Sequence, residues 1–161
     1  MSAPVKSESA DLAEIRRRLQ VAPGAQYMHI ALLGLRVYEP LRIYAQIRKG
    51  LPFSAVERFQ RNTSLGADQL AALLQVPART LARRKAAGRL EPDESDRLLR
   101  AARVFGRALA LFEGDADAAR EWLQERQPLL GGLLPLDLAR TDVGALEVER
   151  LIGRLEHGIP S

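Results

Sequence analysis

The residues best suited to chemistry are cations crowded into one short stretch. Arg79, Arg83, Arg84 and Lys85 fall within seven residues, with Thr80 among them. On a helix, residues three and four apart are neighbours, so these charges would share a compact surface. A guanidinium group can donate two hydrogen bonds to guanine in the major groove of DNA, or pair with a phosphate. The stretch therefore predicts a DNA-contacting helix, although four cations this close together can also form a solvated face.

The sequence around these cations predicts two short helices joined by a tight turn, over residues 68–88. In the first helix, Leu70 and Leu74 lie on one apolar face. Pro77 breaks that period, and Gly88 ends the second helix. This is the pattern of a helix-turn-helix, in which the second helix enters the major groove.

Two residues depart from the usual form of that motif. Gln75 opens the turn, where glycine is common because it reaches a left-handed conformation without strain. Arg84 stands where a third apolar core residue is common. We expect Leu90 to supply that packing instead.

Periodicity and capping signals elsewhere predict an all-α chain. Helices are expected over about 12–19, 26–37, 40–49, 52–61, 92–112, 115–122, 135–139 and 142–156. Gly66, Asp115 and Thr141 are expected to cap the helices that follow them. In the last helix, one wide buried face is expected to contain Leu146, Val148, Leu151, Ile152 and Leu155.

Charge is distributed unevenly along the 161 residues. Residues 1–107 contain 19 Lys or Arg and 10 Asp or Glu, whereas residues 108–161 contain 5 Arg and 10 Asp or Glu. A basic first part suits a polyanion, and an acidic second part suits a different partner. Four arginines of the long helix either contact phosphate or form a solvated face: Arg97, Arg100, Arg103 and Arg107.

The candidate catalytic and metal sites are weak. Asp115 and Asp117 are better explained by a helix cap and a first-turn charge than by metal binding, because no further oxygen ligands follow at calcium-loop spacing. The Gly-Gly at 131–132 lacks the lysine and hydroxyl of a P-loop. His29 and His157 form no recognisable cluster with a nucleophile and an acid. We therefore expect no catalytic residue, no metal and no cofactor.

The sequence also bears on location. It has no cysteine, and its apolar run over 30–35 is far too short to cross a bilayer. The first ten residues are polar rather than those of a signal peptide. These features predict a cytoplasmic protein without membrane contact.

With these residues in view, the chain resembles the antitoxins of the Xre/MbcA/ParS family, partners of RES-domain toxins. The resemblance covers residues 50–161, and the first 49 contribute little. It rests on the segments GLPFSAVERF, RTLARRKAAGRLEPDESDRLLRAARVF, EWL, LGG, PLDL and GALEVERLIGRLEHGIPS, in that order. The expected organisation is a helical arm (1–49), an Xre-like helix-turn-helix region (50–107) and a toxin-binding domain (108–161).

The resemblance implies two activities. The helix-turn-helix of a homodimer would bind the operator of the protein's own operon. The C-terminal domain would silence a toxin that destroys NAD, and its end would block the toxin's pocket. The residues implied for blocking are Arg154, Glu156, His157, Gly158, Ile159, Pro160 and Ser161. The rival interpretation is a stand-alone transcription regulator whose C-terminal domain dimerises or binds an effector.

Overall fold

The computed structural model describes residues 27–158, which form nine α-helices. Residues 1–26 and 159–161 lie outside the described part, and with them the helix expected over 12–19. The helices are α1 (Met28–Leu32), α2 (Pro40–Lys49), α3 (Phe53–Thr63), α4 (Ala67–Leu74), α5 (Ala78–Ala87), α6 (Pro92–Leu111), α7 (Ala116–Leu123), α8 (Pro135–Leu138) and α9 (Asp142–Glu156). A 3-10 turn at Pro128–Leu130 lies between α7 and α8. The predicted all-α fold is confirmed.

The longest helix, α6, organises the core. It contacts α1, α2, α3, α4, α7 and α9. Its Phe105 packs edge to face on Phe59 of α3, with ring centroids 6.2 Å apart. Gly106 allows α1 to approach closely, because a Cβ there would lie 3.1 Å from the amide nitrogen of His29. Since α6 is continuous from Pro92 to Leu111, the regions 50–107 and 108–161 share this helix.

Helix α1 is shorter than predicted, because Leu32 is its last residue. Gly34 then takes a positive φ of 67°, and the Leu35 N–H returns to the Ile30 carbonyl at 3.1 Å. Leu33 and Leu35 are buried in this loop. The sequence therefore predicted a longer helix, because the apolar residues of this loop also face the core and continue the apolar run.

The wide buried face predicted for the last helix is wrong in part. Leu146 and Leu155 are each 44% exposed, whereas Val148, Leu151 and Ile152 are buried. Two features at the start of α9 set its position. The Thr141 hydroxyl accepts a hydrogen bond from the Gly144 N–H at 3.0 Å, as the predicted cap requires. A Cβ at Gly144 would collide with the Leu138 carbonyl, so α9 sits tightly against α8 on that side. The stripe consequently follows Gly144 and Ala145 and leaves the flanks open to solvent.

A short backbone seam joins the end of α2 to the residues that follow α5. The Phe53 N–H donates to the Gly88 carbonyl, and the Leu90 N–H donates to the Leu51 carbonyl, both at 2.9 Å. Gly50 stands at the closest approach, where a Cβ would collide with the Leu90 carbonyl oxygen. Its φ of 86° and ψ of 131° form a combination that only glycine adopts readily.

This seam predicts different costs for two glycine substitutions. Gly88 also has a positive φ, of 79°, but a Cβ there would meet no atom within 4 Å. Gly88→Ala should therefore lower the free energy of unfolding by about 1 kcal/mol, the cost of a left-handed alanine. Gly50→Ala should lower the free energy of unfolding by about 3 kcal/mol or more, because the two backbone segments of the seam must also move apart to admit the methyl group. Urea midpoints of the two variants compare these costs, and equal losses would contradict the collision.

Candidate functional site

Helices α4 and α5 form the helix-turn-helix, with the turn at Gln75 and Pro77. Leu70, Leu73 and Leu74 bury the apolar face of α4. The Gly66 N–H donates to the Gln69 side chain at 2.9 Å, which fixes the start of α4 as expected. Gln75 adopts the left-handed conformation, with φ of 57° and ψ of 43°, although it is not glycine. The turn geometry is therefore that of the motif, and Gln75 replaces glycine in it.

Helix α5 projects its cations away from the core. It contains no buried residue, and Arg79, Arg83 and Lys85 are exposed. Within residues 27–158, these three side chains form no ion pair and no hydrogen bond. Thr80 is half-buried beside them. The described part of the chain thus presents three cations on one short helix, none of them in an ion pair.

Arg84 is engaged internally, unlike the other cations of α5. Its Nε lies 2.7 Å from Oε1 of Glu94, a carboxylate on α6 that is only 4% exposed. The same carboxylate oxygen accepts the Glu91 N–H at 2.8 Å. The hydrogen bond with Glu94, followed by its charge, raises the pKa of Arg84. An ion pair thus occupies the position where a core apolar residue was expected, and it joins α5 to α6.

The four arginines of α6 all have partners within the described residues, although Arg103 is also exposed to solvent. Arg97 donates to the Leu74 carbonyl at 3.2 Å. The other three form ion pairs with α9: Arg100 with Asp142 at 3.0 Å, Arg103 with Glu149 at 2.5 Å and Arg107 with Glu156 at 3.4 Å. The sequence interpretations left out these internal partners, three of which come from the acidic part of the chain.

Arg100 also links the helix-turn-helix to the start of α9. It is buried, and its guanidinium donates to the Ala139 carbonyl at 3.4 Å and to the Arg140 carbonyl at 3.0 Å. The Arg140 carbonyl accepts a second hydrogen bond from the Gln75 side chain, at 2.5 Å. The turn before α5 and the junction before α9 therefore share one hydrogen-bond cluster.

The second exposed surface of interest lies in the acidic part of the chain and is apolar. We call it the apolar patch; its large exposed side chains are Leu129, Leu133, Val143 and Leu146, whereas Leu155 lies on the opposite side of α9 from Leu146 and does not belong to it. Val143 is 76% exposed on the first turn of α9. Leu146 was predicted to be buried, so the sequence alone did not reveal this patch. The sequence did contain a signal for this patch, namely an apolar residue on the solvent side of a capped helix.

The residues implied for toxin blocking gather at the end of α9. Arg154, Glu156, His157 and Gly158 are exposed there. The Arg107 ion pair holds Glu156 against α6. The other three implied residues lie outside the described part of the chain: Ile159, Pro160 and Ser161.

The described residues, 27–158, contain neither a candidate metal site nor a membrane-spanning helix. No group of three or more His, Asp or Glu side chains is placed to hold a metal ion. None of the helices in this part has the length and apolarity needed to cross a membrane.

Comparisons with known proteins match two successive regions of the chain. The family described as "Antitoxin Xre-like helix-turn-helix domain" matches residues 42–103, and "Antitoxin Xre/MbcA/ParS C-terminal toxin-binding domain" matches residues 107–158. An "Antitoxin Xre" from Photorhabdus laumondii is 36% identical over 118 residues, covering 73% of this chain and 80% of the relative. An "Antitoxin Xre" from Yersinia enterocolitica is 34% identical over 128 residues, covering 79% and 86% respectively.

A further relative, from Sphingobium, has the name "Prs ADP-ribosylating antitoxin". It is 29% identical over 158 residues, covering 91% of this chain and 98% of the relative. The two family matches fall in succession on the helix-turn-helix and on the region that contains the apolar patch. The chain belongs to the Xre/MbcA/ParS family of antitoxins.

Proposed function

We propose that this antitoxin neutralises a RES-domain, NAD-degrading toxin and represses its own operon by binding operator DNA. The observation that carries the proposal is the separation of two exposed surfaces. Unpaired cations lie on α5, and large apolar side chains lie on α9 and on the loop before α8. One surface suits a polyanion, and the other suits a protein.

The DNA-binding step uses α5 as the helix in the major groove. Its ten residues extend about 15 Å, slightly more than the groove width of about 12 Å. Arg79, Thr80 and Arg83 face the bases or the adjacent phosphates, and Lys85 lies towards the far phosphate strand. Arg84 holds α5 at its angle to α6 through Glu94. A homodimer would place two such helices one DNA turn apart on a palindromic site.

The toxin-binding step uses the apolar patch and the end of α9. Large apolar side chains on a surface favour burial against a partner. Three carboxylates of residues 108–161 are already paired with arginines of α6, so the contact depends chiefly on the apolar side chains. From this contact, Arg154, Glu156, His157 and the residues after Gly158 reach the toxin's pocket. A pocket built for the phosphates of NAD attracts carboxylates such as that of Glu156.

Co-expression with the protein encoded by the neighbouring gene tests this function. The toxin alone should deplete cellular NAD and stop growth, and the antitoxin should restore both. Labelled ADP-ribose on cellular proteins is measured in the same cultures, because ADP-ribosylation, named for the Sphingobium relative, also breaks the nicotinamide–ribose bond of NAD.

Three results of this experiment are distinguishable. NAD loss without protein labelling supports NAD degradation by the toxin. Labelling at steady NAD would show that the toxin modifies proteins, and the NAD-degrading part of the proposal would be wrong. A neighbouring product that affects neither NAD nor labelling nor growth would reject the pairing and leave a DNA-binding regulator.

A further inference from the structure

We infer that Arg48 and Lys49, at the C-terminal end of α2, bind the phosphate backbone of DNA beside the end of α5. The inference deepens the proposed function, because it rests on α5 lying in the major groove. It adds a second DNA-contacting element that precedes the helix-turn-helix in sequence.

The backbone seam places the end of α2 next to the end of α5. Arg89 follows the last residues of α5, and its Nη1 donates to the Gly50 carbonyl at 2.6 Å. The same nitrogen lies 3.5 Å from the Lys49 carbonyl. Together with the bonds from Phe53 to Gly88 and from Leu90 to Leu51, these contacts fix Lys49 beside the C-terminal end of α5.

The length of α5 determines what lies at that end. When α5 lies across the groove, its length of about 15 Å exceeds the groove width of about 12 Å, so its two ends lie near the two bordering phosphate strands. Lys85 lies in the last turn of α5, and Arg89 directly follows its glycine cap. Arg48 and Lys49 therefore lie in the part of the fold that approaches one of these strands.

The charges at the C-terminal end of α2 favour an anionic ligand. Arg48 and Lys49 are exposed and form no ion pair or side-chain hydrogen bond within residues 27–158. Residues 36–61 contain six cations and only two carboxylates, those of Glu39 and Glu57. Glu39 lies at the opposite end of α2, 4.0 Å from Arg42. Glu57 lines the groove between α3 and α5, together with Lys85. Glu91 directly follows Leu90 of the seam, but within residues 27–158 no ion pair joins it to Arg48 or Lys49.

The double variant Arg48→Gln with Lys49→Gln, in the full chain, tests this site. Dissociation constants are measured for an operator duplex and for an unrelated duplex over a range of salt concentrations. Each lost phosphate contact lowers the slope of log affinity against log salt by about 0.9, so the slope should fall by about 1.8. Both duplexes should lose affinity by the same factor, about tenfold to a hundredfold at ~0.1 M salt, because phosphate contacts carry no sequence information.

Arg42→Gln is the matched control. It removes one charge from the same helix, about 10 Å away along its axis, and its slope should stay that of the wild type. A double variant with an unchanged slope would overturn the inference. If Arg42→Gln lowered the slope by as much per charge as the double variant, the inference would also be overturned, because the effect would then come from the overall electrostatic field of the protein.

Two further results separate this inference from other causes. The solution mass of each variant is measured in the same buffer, since α2 also exposes Leu41 and Tyr44. A double variant that binds weakly only because its assembly differs from that of the wild type would refute a phosphate contact. A wild-type chain that binds neither duplex would instead reject the proposed DNA-binding function itself.

Discussion

Replacing Arg79 and Arg83 together by alanine should weaken operator binding by about a hundredfold or more at ~0.1 M salt. Both side chains are exposed on α5 and form no ion pair within the described residues. A bidentate contact between a cation and guanine contributes about 1–3 kcal/mol of discrimination, and each lost phosphate contact adds a salt-dependent loss. Fluorescence anisotropy with operator and unrelated duplexes measures both effects. Toxin neutralisation in co-expressing cells should be unchanged.

Arg150→Ala is the control for that variant. Arg150 is also exposed, but it lies on α9 and pairs with Glu147 at 2.7 Å. Its loss should leave operator binding near the wild-type value. A double variant of Arg79 and Arg83 that loses both operator binding and toxin neutralisation would show that the two surfaces are not separate. Arg84 is left intact in this design, because its removal would leave the buried Glu94 carboxylate without its cation.

Local signals in the sequence were sufficient to predict most helices and their starts. Asp115 accepts the Ala118 N–H at 3.0 Å, and Thr141 accepts the Gly144 N–H at 3.0 Å, as their positions before helices indicate. Such caps involve residues three apart, so the sequence alone displays both partners. The same locality identified α4 and α5 as a helix-turn-helix.

Contacts between distant residues could not be predicted in this way. Arg100, Arg103 and Arg107 meet carboxylates that follow them by 42, 46 and 49 residues respectively. A stripe of arginines on one helix has the same pattern whether water, phosphate or another helix faces it. Arg84 is a shorter example, because Glu94 also fits the first turn of α6 as a favourable charge at a helix N-terminus.

The width of a buried face is a second property that periodicity does not determine. Leu146 lies on nearly the opposite side of α9 from Val148, and Leu155 lies in the last turn, after the last buried residue of the helix; each is 44% exposed. Burial depends on which neighbour approaches and how closely. These two leucines were therefore mistaken for core residues.

A chain that ends at Gly158 should still bind the toxin but should no longer protect cellular NAD. The removed residues are Ile159, Pro160 and Ser161, so the apolar patch and the Arg107–Glu156 ion pair stay in place. Co-purification with an inactive toxin variant measures binding, and NAD in cells with active toxin measures inhibition. Operator binding should also persist, because the Arg100 cluster lies at the other end of α9, about 21 Å away along the helix.

The matched control is Val143→Asp with Leu146→Asp, which leaves the end of α9 intact. Because this variant places charge on the apolar patch, it should lose the complex itself and with it all protection. The shortened chain should bind the toxin without protecting NAD, whereas the patch variant should not bind the toxin. Together these results would show that binding and blocking of the pocket depend on different residues. Full NAD protection by the shortened chain would contradict a blocking role for Ile159, Pro160 and Ser161. Inhibition would then have to come from the end of α9, where Glu156 is held by Arg107, or from the apolar patch alone.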